Sequence, residues 1–275
     1  MSTSPPIYFR QAETRRRIAK LEKYVEENLL RKKRFICVHE TTCRKSCAPG
    51  HVFSPGTMSH VGRHFDLCRG DVPLRVVVVG QEAKDCKVTL ATRYQEVHDH
   101  TGLEQHQYRQ GEYHGRNPHM RGTTWALRTI FGQGLGTDRD GEFVVPARGE
   151  KFHLFDGFAL VNRLLCYSGP KDGVQARATR TMLDNCTTHL SATLSILEPT
   201  ILILQGKKAA HGTEPVLTAG RTYSDHLYEA HLGRHRLMVC AFSHPSAHDN
   251  QRWADRTEYL RNVVCPNLRK ALKYS

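Results

Sequence analysis

The chain lacks any apolar run approaching eighteen uncharged residues, the minimum for a membrane-spanning helix. Its N-terminus, MSTSPPIYFRQ, has no basic stretch followed by an apolar one, so no secretion signal is expected. Internal repeats and low-complexity tracts are also missing, which argues against a repeat array or a long disordered tail. A soluble, cytoplasmic protein without a membrane partner is the expectation. Acidic residues are in short supply, 27 Asp and Glu against 40 Lys and Arg. The resulting formal charge of +13 sets up a field that attracts polyanions, nucleic acid first among them. The nine cysteines are odd in number, so a disulfide framework explains them poorly in a reducing compartment, and thiolates bound to metal explain them better.

At 275 residues the chain can bury one large core, and the spacing of its apolar runs favours a single α/β domain over 1–275, with residues 1–70 as an N-terminal helix and cysteine-bearing extension. The organising stretch is LRVVVVGQEAKD, Leu74 to Asp85. Four consecutive valines predict a strand buried on both faces. Gly80 then allows a sharp turn that presents Gln81, Glu82 and Asp85 at the carboxyl end of the strand, where open α/β sheets keep their chemistry.

Ile18, Leu21, Val25 and Leu29 recur at helical spacing between charged residues and predict an amphipathic helix over Thr14 to Leu30. RKKR at Arg31 to Arg34 follows, a solvated face or a phosphate contact. Cys37, Cys43 and Cys47 fall in a segment expected to be loop-like. Tyr94 to Arg121, dense in His, Gln, Arg and Gly, reads as a long loop, Thr123 to Phe131 as a helix, and GQGLGTDRDGEF as a turn-rich connector. Phe152 to Leu165 predicts a second strand, carrying Asn162 and followed by Cys166. Thr179 to Leu197 predicts a helix with Met182, Cys186, Leu190 and Leu194 on one face. Ile201 to Leu204 and Arg236 to Phe242 predict the third and fourth strands. Alternation at this spacing implies a mostly parallel four-stranded sheet in a three-layer α/β/α arrangement, with polar strand ends gathered in one cleft.

GQEAKD after the first strand, LVNRLLC on the second, LEPTILILQGKKA around the third and FSHPSAHDNQRW after the fourth resemble the uracil-DNA glycosylase superfamily over roughly Cys37 to Trp253. Cys166 and Cys186 are similar to the second pair of cluster ligands in its iron-sulfur branch, whose first pair also lies upstream of the first strand. The resemblance therefore implies a 4Fe–4S cluster held by Cys166, Cys186 and two of Cys37, Cys43 and Cys47, with zinc as the competing tetrathiolate centre. Cys68, Cys86, Cys240 and Cys265 read as buried small hydrophobes.

The family's HPS histidine, which hydrogen-bonds the base, matches His244, and its base-reading strand asparagine matches Asn162. The first loop departs from both family patterns: Gly80-Gln81-Glu82-Ala83-Lys84 has a glutamate where one pattern has aspartate, and no proline. Glu82 is the candidate to position water or oppose the sugar cation, with Asp85 in reserve. The resemblance also implies that Gln81 lies beside the base. His119, in GRNPHMRG, stands where relatives stack the base on a phenylalanine, with Tyr113 as a substitute. SAHDNQRW resembles the loop that enters the duplex, giving Ser246 and Arg252 as DNA contacts and Trp253 as a wedge, or else a simple helix start. Lys207 and Lys208 are further phosphate contacts.

The implied activity is hydrolysis of the N-glycosidic bond of a flipped deaminated base in single-stranded or duplex DNA, uracil being the expected base, by a monomer. Another deaminated base such as hypoxanthine, a non-catalytic damaged-DNA binder, or a covalent trap acting through His211 are the alternatives.

Overall fold

The structure, a computed structural model, describes residues 5–32, 34–81, 89–104, 107–109, 112–136, 138–171 and 177–275. Its centre is one mixed sheet of seven strands: β1 (His60–Val61), β2 (Val76–Gly80), β3 (Phe158–Asn162), β4 (Ile201–Gln205), β5 (Thr218–Ser224), β6 (Leu227–Leu232) and β7 (His235–Phe242). The spatial order is β5-β6-β7-β4-β2-β3-β1. The neighbours β3, β2, β4 and β7 are parallel, whereas β1 joins β3, and β6 and β5 extend β7, antiparallel.

The sheet is thus wider than the four strands the sequence predicts. The added strands carry a different signal. The outermost, TAGRTYS, is largely exposed, β6 mixes buried Leu227, Ala230 and Leu232 with less buried residues, and β1 is two residues long. None resembles the buried valine run used to recognise a parallel strand.

The helices are α1 (Gln11–Asn28), α2 (Glu40–Ser46), α3 (Leu90–Tyr94), α4 (Pro118–Phe131), α5 (Arg180–Leu197), α6 (Lys207–Thr213) and α7 (Cys265–Tyr274). Strand side chains alternate between faces, so Val76 and Val78 pack with Trp125, Leu127 and Ile130 of α4 and Leu268 of α7. Val77 and Val79 pack with Leu21 of α1 and Leu190, Leu194 and Leu197 of α5. α5 starts where Thr179 Oγ1 accepts the Met182 N–H at 3.2 Å and stops at Glu198, whose φ of 45° ends the helix before Pro199. Among the described residues no helix is long and apolar enough to cross a membrane.

Three other expectations change. The cysteine segment contains α2 rather than only loop. The long loop expected after Tyr94 is largely ordered: α3 continues as a π-helix over Gln95–Glu104, a hairpin pairs Gln107–Arg109 with Glu112–His114, and α4 starts at Pro118, capped by Asn117 Oδ1 on the Met120 N–H at 3.0 Å. What orders this segment is a buried charge network rather than an apolar stripe. Arg116 (2 % exposed) and Glu142 (0 %) pair in two parallel bonds of 2.7 and 2.8 Å. Arg116 also donates to the carbonyls of Thr101 and Gly102 at 2.9 and 2.8 Å, and His153 Nε2 lies 2.9 Å from Glu142. Finally, the second strand spans only Phe158–Asn162, since a 3-10 turn at Leu154–Asp156 separates it from Phe152–His153.

Candidate active site

The carboxyl ends of the parallel strands meet α4 and the loop after β7 at one edge, and three glycines set the spacing. A Cβ on Gly80 would lie 3.0 Å from His119 Cε1 and 3.4 Å from Asn162 Oδ1. One on Gly122, in α4, would lie 2.7 Å from Pro245 Cγ, closer than real atoms approach. Gly206 holds φ at +104° with its open side 3.3 Å from His244 Cβ, a conformation that favours glycine. Asn162, His119 and His244 are thereby gathered around the end of β2.

Asn162 is 6 % exposed, and its amide has no hydrogen-bond partner among the described residues. An amide at the end of a buried strand with no protein partner there can give its donors and its acceptor to a ligand. The rings of His119 and His244 lie 6.5 Å apart with planes inclined by 21°. Burial, then the neighbouring His244 and Arg93, lowers the pKa of His119 to about 3. Partial burial also lowers that of His244. Both imidazoles are therefore neutral at pH 7.

The Ser246 backbone N–H donates to His244 Nδ1 at 3.2 Å and its hydroxyl sits 2.7 Å from the same nitrogen. An acceptor Nδ1 leaves the proton on Nε2, the tautomer that aims an N–H donor away from the loop.

The other expected residues divide. Ser246 serves His244. Lys207 and Lys208 are exposed on the first turn of α6. Arg252 is exposed and paired with Asp255 at 2.7 Å. Gln81 accepts the Leu164 N–H on its backbone carbonyl at 2.8 Å. Glu82, Asp85 and Cys86 lie outside the described residues. Trp253 is 0 % exposed, with its indole N–H on Ser243 O at 2.7 Å, so it buttresses the His244 loop and is not an exposed wedge. Gln205, which the sequence marks only as a strand end, closes β4. Its amide donates to Thr123 Oγ1 at 3.0 Å, while its buried Oε1 has no partner among the described residues. A polar residue closing a fully apolar strand was the available signal.

A second constellation lies where the N-terminal segment packs on α5. Cys37, Cys43, Cys166 and Cys186 line one narrow cavity of about 10 Å³, whereas Cys47 points its thiol at the Cys43 carbonyl, 3.4 Å away. Burial pushes the Cys186 thiol up to about 11 and Cys166 higher still, with the neighbouring cysteines adding to both. Asn185 Nδ2 donates to Cys43 Sγ at 3.3 Å, and His189 Nε2 lies 3.4 Å from Cys37 Sγ. Among the described residues no three His, Cys, Asp or Glu side chains close on a single point as a metal site. Cys68, Cys240 and Cys265 are buried, as expected of small hydrophobes.

No family model matches the chain, and no curated protein matches it.

Proposed function

We propose that the protein is a DNA glycosylase of the kind its sequence resembles, hydrolysing the N-glycosidic bond of a flipped deaminated base, with uracil as the preferred substrate. The observation that carries this reading is the convergence of the Asn162 amide, without a hydrogen-bond partner among the described residues, with the neutral, tautomerically fixed His244 at the carboxyl edge of the parallel strands. Breaking the bond sends electrons into the base, which leaves as an anion. A positioned N–H donor stabilises that charge more than it stabilises the intact nucleotide, which is what lowers the barrier. His244 Nε2–H is such a donor for a base carbonyl, and Asn162 offers donors and an acceptor to the pairing edge. Glu82, with Asp85 in reserve, would orient water or oppose the sugar cation. Lys207, Lys208 and Arg252 would contact DNA phosphates. The architecture that goes with this reading is a three-layer α/β/α domain around the four parallel strands, working as a cytoplasmic monomer.

The four thiols of Cys37, Cys43, Cys166 and Cys186 have the chemistry for a 4Fe–4S cluster, with zinc as the alternative for the same donors. Such a group would be structural, tying the N-terminal segment to the core. In so narrow a cavity the thiols must turn outward to admit it. Burial raises the Tyr24 pKa, so its hydroxyl stays protonated and donates to His189 Nδ1 at 2.7 Å. That leaves His189 Nε2–H to support a Cys37 thiolate.

The test is excision from labelled oligonucleotides bearing one uracil or one hypoxanthine, in single strands and opposite each base, with alkali revealing abasic sites. Alkali-labile product that falls by about 10² or more in His244→Ala, the scale of losing one charge-stabilising donor, is the expected result. DNA retained without product sinks the enzyme reading in favour of a binding module, and a covalent adduct would make the protein a trap.

A further inference from the structure

A cavity of about 560 Å³ opens beside Gln81, between the loop after β3, the start of α5 and α6. It lies in the size range of small-molecule sites. Arg163, Arg177, Arg180, Lys208 and His211 contribute to its wall. Two of these are engaged locally, Arg180 with Asp184 at 2.9 Å and His211 with Glu214 at 3.5 Å. Among the described residues no carboxylate pairs with Arg163, Arg177 or Lys208.

Arg163 is the informative one. It is 2 % exposed, and its Nη2 donates to Leu183 O at 2.7 Å and Thr187 Oγ1 at 3.0 Å. Its Nε and Nη1 are buried with no partner among the described residues. A guanidinium taken out of water with two unanswered donors is costly by itself, so the position suits one whose charge an anion completes. The packing around it is also close: a Cβ on Gly212 would lie 2.3 Å from Arg163 Nε. α5 contributes its N-terminal turn to the same wall, and the partial positive charge of that helix end favours an anion there.

We infer that this cavity binds the phosphate of a nucleotide through Arg163, Arg177 and Lys208, as a subsite next to the base pocket. The inference rests on the nucleic-acid reading of the protein but not on its catalysis. The same chemistry could come from an internal phosphate of the strand, a 5′-phosphorylated strand end or a free nucleotide.

The experiment measures binding of a uracil-free, fluorescent 12-mer, with a 5′-phosphate or a 5′-hydroxyl, and its displacement by dTMP. It uses the full chain, Arg177→Gln/Lys208→Gln, and a control of equal charge, Lys20→Gln/Lys23→Gln, on the exposed face of α1. Both altered pairs are on the surface, so folding is expected to survive, and melting temperatures check it. Arg177→Gln/Lys208→Gln should bind about tenfold more weakly than the control, with a salt slope shallower by about 0.7 for each phosphate that is no longer neutralised. A loss confined to the 5′-phosphorylated strand identifies a strand end, an equal loss for both strands an internal phosphate, and a loss seen only in dTMP displacement a free nucleotide. Binding equal to that of the control in all three arms overturns the inference. Excision is scored on a uracil-bearing strand and the subsite on a uracil-free one, so an absence of excision and an absence of the subsite give different results.

Discussion

His60 makes the fold sensitive to acid, although it lies in the two-residue strand β1 and nothing in its sequence context marks it. It is 0 % exposed, its Nε2–H donates to Phe155 O at 2.8 Å, and its Nδ1 has no partner among the described residues. Burial lowers its pKa to about 3, against about 6.5 for an unfolded imidazole. Above pH 6.5 the ring is neutral in both states and contributes no pH dependence. Below it the unfolded chain takes up a proton that the folded chain refuses, so stability falls by about 1.4 kcal/mol per pH unit until about pH 3. His119, whose pKa is also lowered to about 3, adds to the slope in the same window. Asp156, held below its ordinary range against burial by His64 and the Arg63 N–H, adds to the loss below about pH 4. Urea midpoints taken from pH 7 to pH 5 should therefore decline, and His60→Gln should flatten that decline whatever it does to stability at pH 7. An unchanged slope in His60→Gln would show that the ring is charged in the folded state.

α4 carries His119 into the site, and its entry is fixed by the Arg116–Glu142 pair together with the Asn117 cap. Removing one partner of a buried pair leaves the other charge without compensation, at a cost of about 3–5 kcal/mol. Glu142→Gln should lose stability on that scale in urea titrations, whereas Arg116→Met/Glu142→Leu should recover much of it. A loss below about 1 kcal/mol in the single variant would mean that the network contributes little. The same network marks the limit of sequence reading. The strands at Val76–Gly80 and Ile201–Gln205 and the helix from Arg180 were legible because their order comes from apolar runs and a threonine cap. The segment from Tyr94 to Arg121 was not, because Arg116 finds its partners 26 residues away at Glu142 and on the carbonyls of a π-helix, and no local periodicity encodes that. Asn162 and His244 were legible as polar residues at strand ends. The burial of Trp253 and the support that Ser246 gives His244 were not, since both depend on where the loop after β7 folds back.

Across the whole molecule, the cysteines divide in a way that spacing alone left open. Cys166 and Cys186 come from just beyond the end of β3 and from α5, while Cys37 and Cys43 come from the segment around α2, more than a hundred residues earlier. The small apolar cluster that joins these parts contains Cys43, Cys166 and Cys186 themselves. A metal group held by the four thiols would replace protons on buried sulfurs and restrict a long loop of the unfolded chain, so its binding energy becomes folding energy. Cys47 is four residues from Cys43 but turned to a backbone carbonyl, and offers a control within the same segment. Cys37→Ala should lose bound metal and lower the melting temperature, while Cys47→Ala should keep both near the parent values. Iron, sulfide and zinc are measured per chain on protein purified without oxygen. Iron with equimolar sulfide identifies a cluster, and zinc alone identifies the simpler tetrathiolate site. Equal metal loss in the two variants would mean that Cys47, rather than Cys37 alone, turns inward when metal is present.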